Sequence, residues 1–463
     1  METFDDRKAQ LVASLTAASA SDYAQRTGAV STEGVSSGPV SMGLKKDTSN
    51  LFRERESSGK RHLDVRAFDH VLEVNAREGW VDVEGMTPYD VLVDATLKQH
   101  VMPAVVPQLK SITIGGAAAG VGIEASSFKF GLVHDTLLEI EVLTGKGEVV
   151  VARPDNEHSD LFFGFPNSYG TLGYALRVRA RTTAVKRFVE IRHRRYSDPV
   201  ECFAALHELA DSDYDFLDGV AFGRDDLVVT TGRFVDEAPW LSDYTSERVY
   251  YRSLREREID YLTAGDFIWR WDTDWFWCSK NIGAQRPFIR RLLGRSRLNS
   301  RFYTKVMRWN TRFGLTRMLD RFSGLHRESV IQDVDIPIEN ADKFLDFFCR
   351  DIGILPIWLC PIRAREPVGN FDLYPVPEQK MLVNFGFWDV VRRREAFQLG
   401  YHNRLIEKKV GELGGIKSLY SESYFPEEEF WHVYNGDAWR RLKARYDPQC
   451  VFGNLYQKAV LRR

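Results

Sequence analysis

The sequence is poor in the features that mark secreted and membrane-spanning proteins. It contains only five cysteines, an odd number, and no two of them form a CxxC pair. Neither a disulfide framework nor a zinc site is therefore expected, and a reducing, cytoplasmic compartment is indicated. No stretch of about 18 apolar residues is present, so no segment is predicted to span a bilayer.

Charge of one sign is also lacking overall. The 63 basic and 65 acidic residues leave a formal net charge of −2, which gives no global electrostatic case for nucleic acid. The segment Met1–Thr27 is predicted to form a polar helix and lacks the apolar core of a signal peptide. One region departs from the balance, because residues 286–321 hold eleven Lys or Arg and one acid, Asp320.

Short strands dominate the first part of the chain. Strands are predicted at Leu63–Arg66, Val71–Asn75, Trp80–Glu84, Leu137–Leu143, Glu148–Ala152 and Thr171–Arg181, and a helix with proline in its first turn at Pro88–Lys98. Together they predict one α+β domain that ends near Val185.

The second part mixes strands with longer helices. Strands are predicted at Phe216–Phe222, Leu227–Phe234, Ser329–Ile336, Ile354–Pro361 and Met381–Phe387, and helices at Ala341–Arg350 and Arg392–Leu413. This pattern favours a mixed α/β substrate domain with an antiparallel sheet. We divide the chain into an N-terminal helix (1–30), a first domain (31–185), a substrate domain (186–425) and a C-terminal return to the first domain (426–463).

The segment Thr113–Gly131 is dense in glycine, with four glycines within eight residues near its start. Glycine lets backbone N–H groups approach a pyrophosphate closely, and successive N–H groups bind anions. The spacing matches neither the dinucleotide fingerprint nor the GxxxxGK[ST] loop. On these residues alone, a phosphate site and a tight turn without a ligand both remain open.

Three segments in order, Lys46–Phe52, Thr113–Gly131 and Asn167–Gly173, resemble the flavoprotein family that includes vanillyl-alcohol oxidase and p-cresol methylhydroxylase. The resemblance implies a two-part FAD-binding domain of the PCMH type, whose first two loops wrap the FAD pyrophosphate and whose third lies near the adenine. The implied FAD contacts are Lys46, Thr48, Ser49, Asn50, Leu51, Thr113, Ile114, Gly115, Gly116, Gly120, Gly122, Ile123, Glu124, Ser126, Ser127, Gly131, Asn167, Gly170, Thr171 and Gly173. Because Gly43–Arg53 holds no His or Cys, non-covalent FAD is expected.

Longer stretches are similar to the delta-24 sterol reductases, among them Gly122–Gly131, Pro356–Pro361 and Glu427–Trp431. The chain departs from that family in lacking an N-terminal membrane segment and a His-rich version of Arg270–Cys278. That stretch, together with Lys417–Ser423, resembles instead a bacterial branch of reductases that complete tuberculostearic acid.

Both groups of relatives reduce an isolated carbon–carbon double bond, so the resemblance implies an FAD-dependent reductase that uses a donated proton and a hydride from flavin N5, with NADPH as electron donor. The leading hypothesis is reduction of a 10-methylene fatty-acyl chain of a phospholipid to the 10-methyl form, beside a partner methyltransferase that uses S-adenosylmethionine. A delta-24 sterol is the alternative substrate. Oxidation of a sugar or alcohol, and a non-catalytic subunit, are the further alternatives.

The proton donor is not evident from the sequence. Lys417 is the candidate for balancing charge at the reduced flavin, and Tyr420, Tyr424, Asp272, Asp274 and His134 are the candidate acids. Arg270 precedes the two aspartates in a tryptophan-rich stretch, where apolar surroundings would keep a carboxyl protonated. For each residue, a hydrogen-bonded structural role is the alternative.

Aromatic and basic residues follow one another in the middle of the chain. Phe267–Trp277 holds four Trp and two Phe, which suit either a structural core or the wall of a channel for an apolar chain. Residues 286–322 interleave cations with apolar residues at helical spacing, as a helix on an anionic membrane surface requires. A solvated helix and a nucleic-acid contact are the alternatives. We expect peripheral attachment at the inner face of the membrane.

Overall fold

Two antiparallel sheets organise the protein. The computed structural model describes residues 2–28, 42–47, 52, 61–246, 248–313, 325–364, 371–377 and 380–462. The first sheet is built from the first 184 residues and the second from the middle of the chain. This arrangement confirms the predicted α+β class with an antiparallel substrate-domain sheet.

The first sheet has six strands, five of them in the order β3-β4-β8-β6-β7, while β5 pairs with β8. A separate parallel pair, β1 and β2, precedes it. The strands are β1 (Met42–Lys45), β2 (Arg61–Asp64), β3 (Val71–Asn75), β4 (Trp80–Glu84), β5 (Val101–Pro103), β6 (Leu137–Leu143), β7 (Val149–Ala152) and β8 (Tyr174–Ala184). The predicted strands of this region are confirmed to within a few residues.

One long helix and four short ones accompany this sheet. They are α1 (Phe4–Gly28), α2 (Tyr89–Leu97), α3 (Ile114–Ala119), α4 (Ser127–Phe130) and α5 (Ser159–Gly164), with a 3₁₀ helix at Val133–Thr136. Helix α2 buries Tyr89, Leu92, Val93 and Thr96, which recur at the spacing of one helical face. Helix α3 begins where Thr113 caps it by accepting a hydrogen bond from the Gly116 amide at 3.2 Å.

The second sheet has eight strands in the order β12-β9-β11-β10-β14-β15-β13-β16. They are β9 (Phe188–Tyr196), β10 (Phe216–Gly223), β11 (Asp226–Val235), β12 (Ile259–Thr263), β13 (His326–Pro337), β14 (Ile357–Arg363), β15 (Met381–Arg393) and β16 (Ile416–Lys417). The predicted helix at Arg392–Leu413 is wrong at its start, because β15 continues to Arg393 to pair with β13. Strands β9 and β12 were missed by the sequence patterns.

The helices of the middle domain flank this sheet. They are α6 (Pro199–Leu209), α7 (Tyr250–Ser253), α8 (Ala264–Ile268), α9 (Pro287–Leu293), α10 (Ser300–Phe313), α11 (Ala341–Phe347) and α12 (Tyr401–Glu412). Turns of 3₁₀ helix occur at Asp272–Asp274, Cys278–Ile282, Arg295–Arg297 and Ile338–Asn340, and a π-helical turn at Phe348–Ile352. None of the helices in the described part of the chain combines the length and the apolar composition that a bilayer-spanning segment needs.

The C-terminal segment packs back against the first domain. Its helices are α13 (Glu427–Val433), α14 (Gly436–Tyr446) and α15 (Leu455–Ala459). The buried Lys443 ammonium donates to the carbonyl oxygens of Thr171 and Gly453, both at 2.6 Å. The Met42 amide, at the start of β1, donates to the Val451 carbonyl at 2.8 Å. Both ends of the chain therefore meet beside the first sheet.

Candidate active site

A cavity of about 1070 Å³ lies where the two sheets and the C-terminal segment meet. The glycine-rich segment and the 169–176 region line one side, and strands β13 and β15 with the aromatic stretch line the other. Phe452, Gly453, Asn454, Gln457 and Lys458 close a third side. The cavity is slightly larger than the usual range for small-molecule sites and has room for a large cofactor together with a substrate.

On the first-domain side, unused backbone donors face the cavity. The main-chain N–H groups of Val121, Gly122 and Ile123 have no acceptor among the described residues, and all three residues line the cavity. Nearby, Tyr169 and Gly170 have φ angles of 49° and 77°. The Tyr169 amide donates to the Ala119 carbonyl at 2.8 Å, so the unused donors of this wall are those of residues 121–123, and neighbouring unused N–H groups can bind an anion. This wall therefore suits a phosphate-bearing ligand such as FAD.

Several glycines of this wall are required by close packing of the protein itself. A Cβ on Gly115 would lie 2.6 Å from the Gly85 carbonyl oxygen, and one on Gly122 would lie 2.6 Å from a methyl of Val133. Gly131 has φ of 77° and abuts the Asp135 carboxyl. Ligand approach and a tight turn were both considered from the sequence, and the structure adds that these glycines let the loop pack against the end of β4 and the 3₁₀ turn.

The predicted cofactor residues divide into two groups. Those that line the cavity are Lys46, Thr113, Gly115, Gly116, Gly120, Gly122, Ile123, Gly170 and Gly173. Those that the structure places in internal hydrogen bonds or core packing, away from the described lining, are Ile114, Glu124, Ser126, Ser127, Gly131, Asn167 and Thr171. Thr48, Ser49, Asn50 and Leu51 lie outside the described residues.

The substrate-domain side is built on strand alternation. Arg327, Ser329, Ile331 and Asp333 of β13 face the cavity, whereas Val330 and Val334 point into the core on the opposite face. Trp388 and Val390 of β15 lie beside them in the same sheet face, because Trp388 pairs with Ile331 and Val390 with Ser329. The floor of the cavity is therefore a sheet face with a mostly apolar middle.

The tryptophan-rich stretch serves both roles considered from the sequence. Trp271 and Trp277 are buried in the core at 1% exposure each. Trp275 and Phe276 line the cavity and have φ angles of 46° and 58°, which are uncommon for bulky side chains. The Phe276 ring packs on Trp388 with centroids 4.1 Å apart. Part of the stretch is core, and part forms an aromatic wall.

Arg270, Asp272 and Asp274, which were candidates for catalysis, lie outside the described lining of the cavity. The Arg270 guanidinium donates to Asp218 at 2.9 Å and Glu124 at 3.1 Å. Asp272 accepts from the Lys110 amide at 2.9 Å, which ties the two domains together. Asp274 accepts from Arg290 at 2.6 Å. These are the hydrogen-bonded structural roles given as the alternative.

Lys417 and His134 are also placed away from the cavity lining. The buried Lys417 ammonium forms an ion pair with Glu407 at 2.7 Å and donates to Ser423 Oγ at 3.1 Å. Burial lowers the pKa of His134 to about 3, so the ring is neutral at pH 7, and a neutral imidazole is too weak an acid to protonate an alkene. Tyr424 donates to the Glu422 carboxylate at 2.8 Å, near the C-terminus.

Tyr420 is the predicted acid that the structure brings into the cavity. Its hydroxyl accepts a hydrogen bond from the Trp388 indole at 2.9 Å. Phe52 packs edge-on against its ring at 5.9 Å, and the Phe52 amide donates to its carbonyl at 3.0 Å. The first loop of the FAD-type domain is thereby joined to this residue.

The sequence patterns missed Asp333, Trp358 and the tail residues 452–458 as parts of the site. A signal for Asp333 was present, because an acid in the middle of a predicted strand is costly to bury without a reason. Trp358 is buried at 3% exposure, and its indole donates to Asp218 at 3.1 Å. The return of residues 426–463 to the first domain was predicted, but the sequence did not indicate which of these residues would border the cavity.

Comparison with known proteins adds two findings. Residues 47–153 match the family model described as FAD binding domain. A delta(24)-sterol reductase from Homo sapiens is 28% identical over 415 residues, which cover 84% of this chain and 75% of the relative. The relative of the same name from Arabidopsis thaliana is 25% identical, covering 86% and 76%. Cytokinin dehydrogenase 7 from Oryza sativa subsp. japonica is 24% identical, covering 84% and 76%.

Proposed function

We propose that this chain, an FAD-dependent oxidoreductase with a PCMH-type fold, reduces an isolated carbon–carbon double bond in a lipid. The observation that carries the proposal is the cavity, in which donor-rich glycine loops face an aromatic wall formed by Trp275, Phe276, Trp358 and Trp388. The similarity to delta(24)-sterol reductases over more than four fifths of the chain supports it.

The reaction adds one proton and one hydride to an unactivated alkene. FAD, when bound and reduced, supplies the hydride. Val121, Gly122 and Ile123 offer the backbone donors for its phosphates, and Lys46 and Lys458 add positive charge to the same cavity. The aromatic wall holds an apolar chain and excludes water, which a cationic carbon would otherwise capture.

Two lipid alkenes suit this chemistry, because protonation of either leaves positive charge on a tertiary carbon. The relatives' name supports the side chain of a delta-24 sterol more directly. A 10-methylene fatty-acyl chain of a phospholipid is the second candidate, and the sequence of the Trp275–Phe276 wall favours it by resemblance alone. A methyltransferase partner belongs to this second candidate. A sugar or another polar alcohol would need hydrogen-bonding side chains at the positions that these aromatic rings occupy.

The test is a set of anaerobic single-turnover reactions with the purified holoenzyme. The flavin is reduced with NADPH or NADH, which also identifies the nicotinamide donor, and is then mixed with a delta-24 sterol, a methylene-branched phospholipid or a sugar lactone. We expect reoxidation by a lipid alkene with formation of its saturated product. Bleaching of the oxidised flavin by a sugar or alcohol, without any response to either lipid, would overturn the proposal.

We also propose that the protein takes its lipid from an anionic membrane surface. Phe288 and Leu292 of α9 lie one helical turn apart and are 79% and 71% exposed. Ile282, at the edge of the cavity, is 43% exposed beside them in the chain. The exposed Arg291, Arg295 and Arg297 flank these residues, giving the apolar and cationic groups that interfacial binding requires. We call this set the α9 patch.

Liposome flotation checks the α9 patch. The triple substitution R291E/R295E/R297E should weaken binding to phosphatidylglycerol vesicles at low salt, because each basic residue near an anionic surface contributes about 1 kcal/mol. Arg290 is excluded from the variant, since it is buried and paired with Asp274. R77E/K98E/K146E changes three exposed cations elsewhere and should float like the unmodified protein. Equal loss in both variants, or none in either, would discard the patch.

A further inference from the structure

An aspartate in the cavity has the surroundings of a neutral acid. Asp333 lies on β13 opposite Gly386 of β15, and its side chain is on the strand face that lines the cavity. Its carboxyl Oδ1 is buried and accepts no hydrogen bond from the described residues. No described Lys or Arg forms an ion pair with it. Asp389, the other described carboxyl in the lining, differs because Lys280 neutralises it at 2.7 Å.

The neighbours of Asp333 fix its position while leaving it uncharged. The Tyr420 hydroxyl lies near enough to its carboxyl to lower its pKa, and the Trp388 indole donates to that hydroxyl at 2.9 Å. Only glycine at position 386 leaves space for both the Asp333 carboxyl and the Trp388 ring. A Cβ there would lie 2.8 Å from Asp333 Oδ1 and 2.4 Å from the Trp388 ring. Ser418 holds the strand by donating its amide to the Asp333 carbonyl at 3.1 Å.

The pKa of Asp333 is raised to about 8, mainly by burial, while the Tyr420 hydroxyl lowers it and the Asp335 carboxylate adds a smaller increase. The carboxyl is therefore protonated at pH 7. Burial also raises the pKa of Tyr420 well above its usual value, so this phenol holds its proton firmly. Of the two groups, the carboxyl is the one that gives up a proton near neutral pH.

We propose that Asp333 is the acid that protonates the alkene, with Tyr420 as the residue that positions it. The inference rests on the proposed function. The Asp333 O–H bond breaks as the π electrons of the alkene form a C–H bond at its less substituted carbon. The tertiary carbon then receives the hydride of the reduced flavin, so the alkene is reduced and the flavin oxidised. The carboxylate regains its proton from solvent, and reduced nicotinamide restores the flavin.

The test compares Asp333→Asn with the unmodified holoenzyme at equal FAD content. In the unmodified enzyme, single-turnover reoxidation by the lipid alkene should fall tenfold per pH unit above about 8, because the acid form is the active one. The rate of Asp333→Asn should be lower by about 100-fold or more, the usual size of a general-acid contribution. It should also not show this decrease at high pH. Reoxidation by ferricyanide, which protonates no carbon, should be unchanged.

A matched variant and a second readout separate a catalytic from a structural role. Asp335→Asn removes a buried carboxylate two residues along the same strand. Its rate should still decrease at high pH, but the decrease should begin at a lower pH, because the Asp335 carboxylate raises the pKa of Asp333. Infrared difference spectra of the lipid-free protein at pH 7 should show a neutral carboxyl band that Asp333→Asn lacks. An enzyme that no lipid alkene reoxidises would contradict the proposed function. If the enzyme reduces a lipid alkene and Asp333→Asn has the same rate and the same decrease at high pH, only the proposed role of Asp333 is overturned.

Discussion

At the scale of single residues, the buried charges of the domain junction matter most. Arg270 is 2% exposed and contacts Glu124 from the glycine-rich segment and Asp218 from β10. Its guanidinium also lies 4.0 Å from the centre of the Phe267 ring. Burial raises the pKa of Glu124 to about 7, while Arg270 lowers it. One cation therefore compensates two carboxyls from different domains.

Replacing Arg270 with Leu should lower the free energy of unfolding by about 3–5 kcal/mol, the usual cost of leaving buried charge unpaired. The pKa of Glu124 is raised in the folded state, so this group disfavours folding as pH rises from its unfolded value near 4.5 toward 7. Without Arg270 that loss increases. Urea denaturation should show a larger deficit at pH 8 than at pH 5, with R270K in between, and a deficit that shrinks with pH would contradict this account.

Single residues also differ in whether the sequence alone could identify them as part of the site. The cavity glycines could be recognised from the sequence, because a glycine by itself indicates a place where the backbone approaches another group closely. They are Gly115, Gly116, Gly120, Gly122, Gly170 and Gly173. The surroundings of Lys417 and Asp274 could not be predicted, because their ion-pair partners, Glu407 and Arg290, are not indicated by any local pattern. Asp333 was missed because its significance depends on which strand face meets the cavity.

At the scale of elements, α3 is held against the first sheet by an approach that only glycine permits. The Gly115 amide donates to the Gly85 carbonyl at 2.8 Å. Gly85 itself lies so close to β8 that a Cβ would be 1.9 Å from the Ala175 carbonyl. The position of the cavity wall is therefore set by two facing glycines rather than by side-chain packing.

The substitution Gly115→Ala should move α3 off the sheet and reduce the FAD content of the purified protein, at a cost in stability of about 1–3 kcal/mol, typical of overpacking. Gly223→Ala is the matched control, because a Cβ there meets nothing within 4 Å, and it should change stability by less than about 0.5 kcal/mol. The flavin-to-protein absorbance ratio and thermal denaturation measure both effects. Equal behaviour of the two variants would refute the packing argument.

Secondary-structure elements were predicted best where the pattern was local. Val71–Asn75, Trp80–Glu84 and Leu137–Leu143 match the sequence predictions at both ends. Strand β15 was cut short in the prediction because Arg392 and Arg393 resemble the start of a charged helix, whereas pairing with β13 continues the strand through them. Long-range pairing overrides local propensity in such places.

At the scale of the whole molecule, the site is assembled from segments far apart in the chain. Phe52, the glycine-rich segment, strand β13 and residues 452–458 all border one cavity. The sequence predicted the sheet class and the first wall of this cavity. The packing of the second sheet against the first domain could not be predicted from the sequence, because it depends on contacts such as that of Asp272 with Lys110, which are 162 positions apart.

The meeting of both chain ends at the cavity makes the cofactor part of the folding equilibrium. A ligand that binds only the folded state stabilises it in proportion to the logarithm of its free concentration, by about 2.7 kcal/mol at 100 times its Kd. Because residues 42–46 and 452–458 border the cavity from opposite ends of the chain, FAD should act as a non-covalent cross-link between the termini. The melting temperature should rise as FAD is added to the stripped protein, and proteolysis near both termini should slow in parallel. In a cell, the lifetime of this protein would then follow the supply of its cofactor.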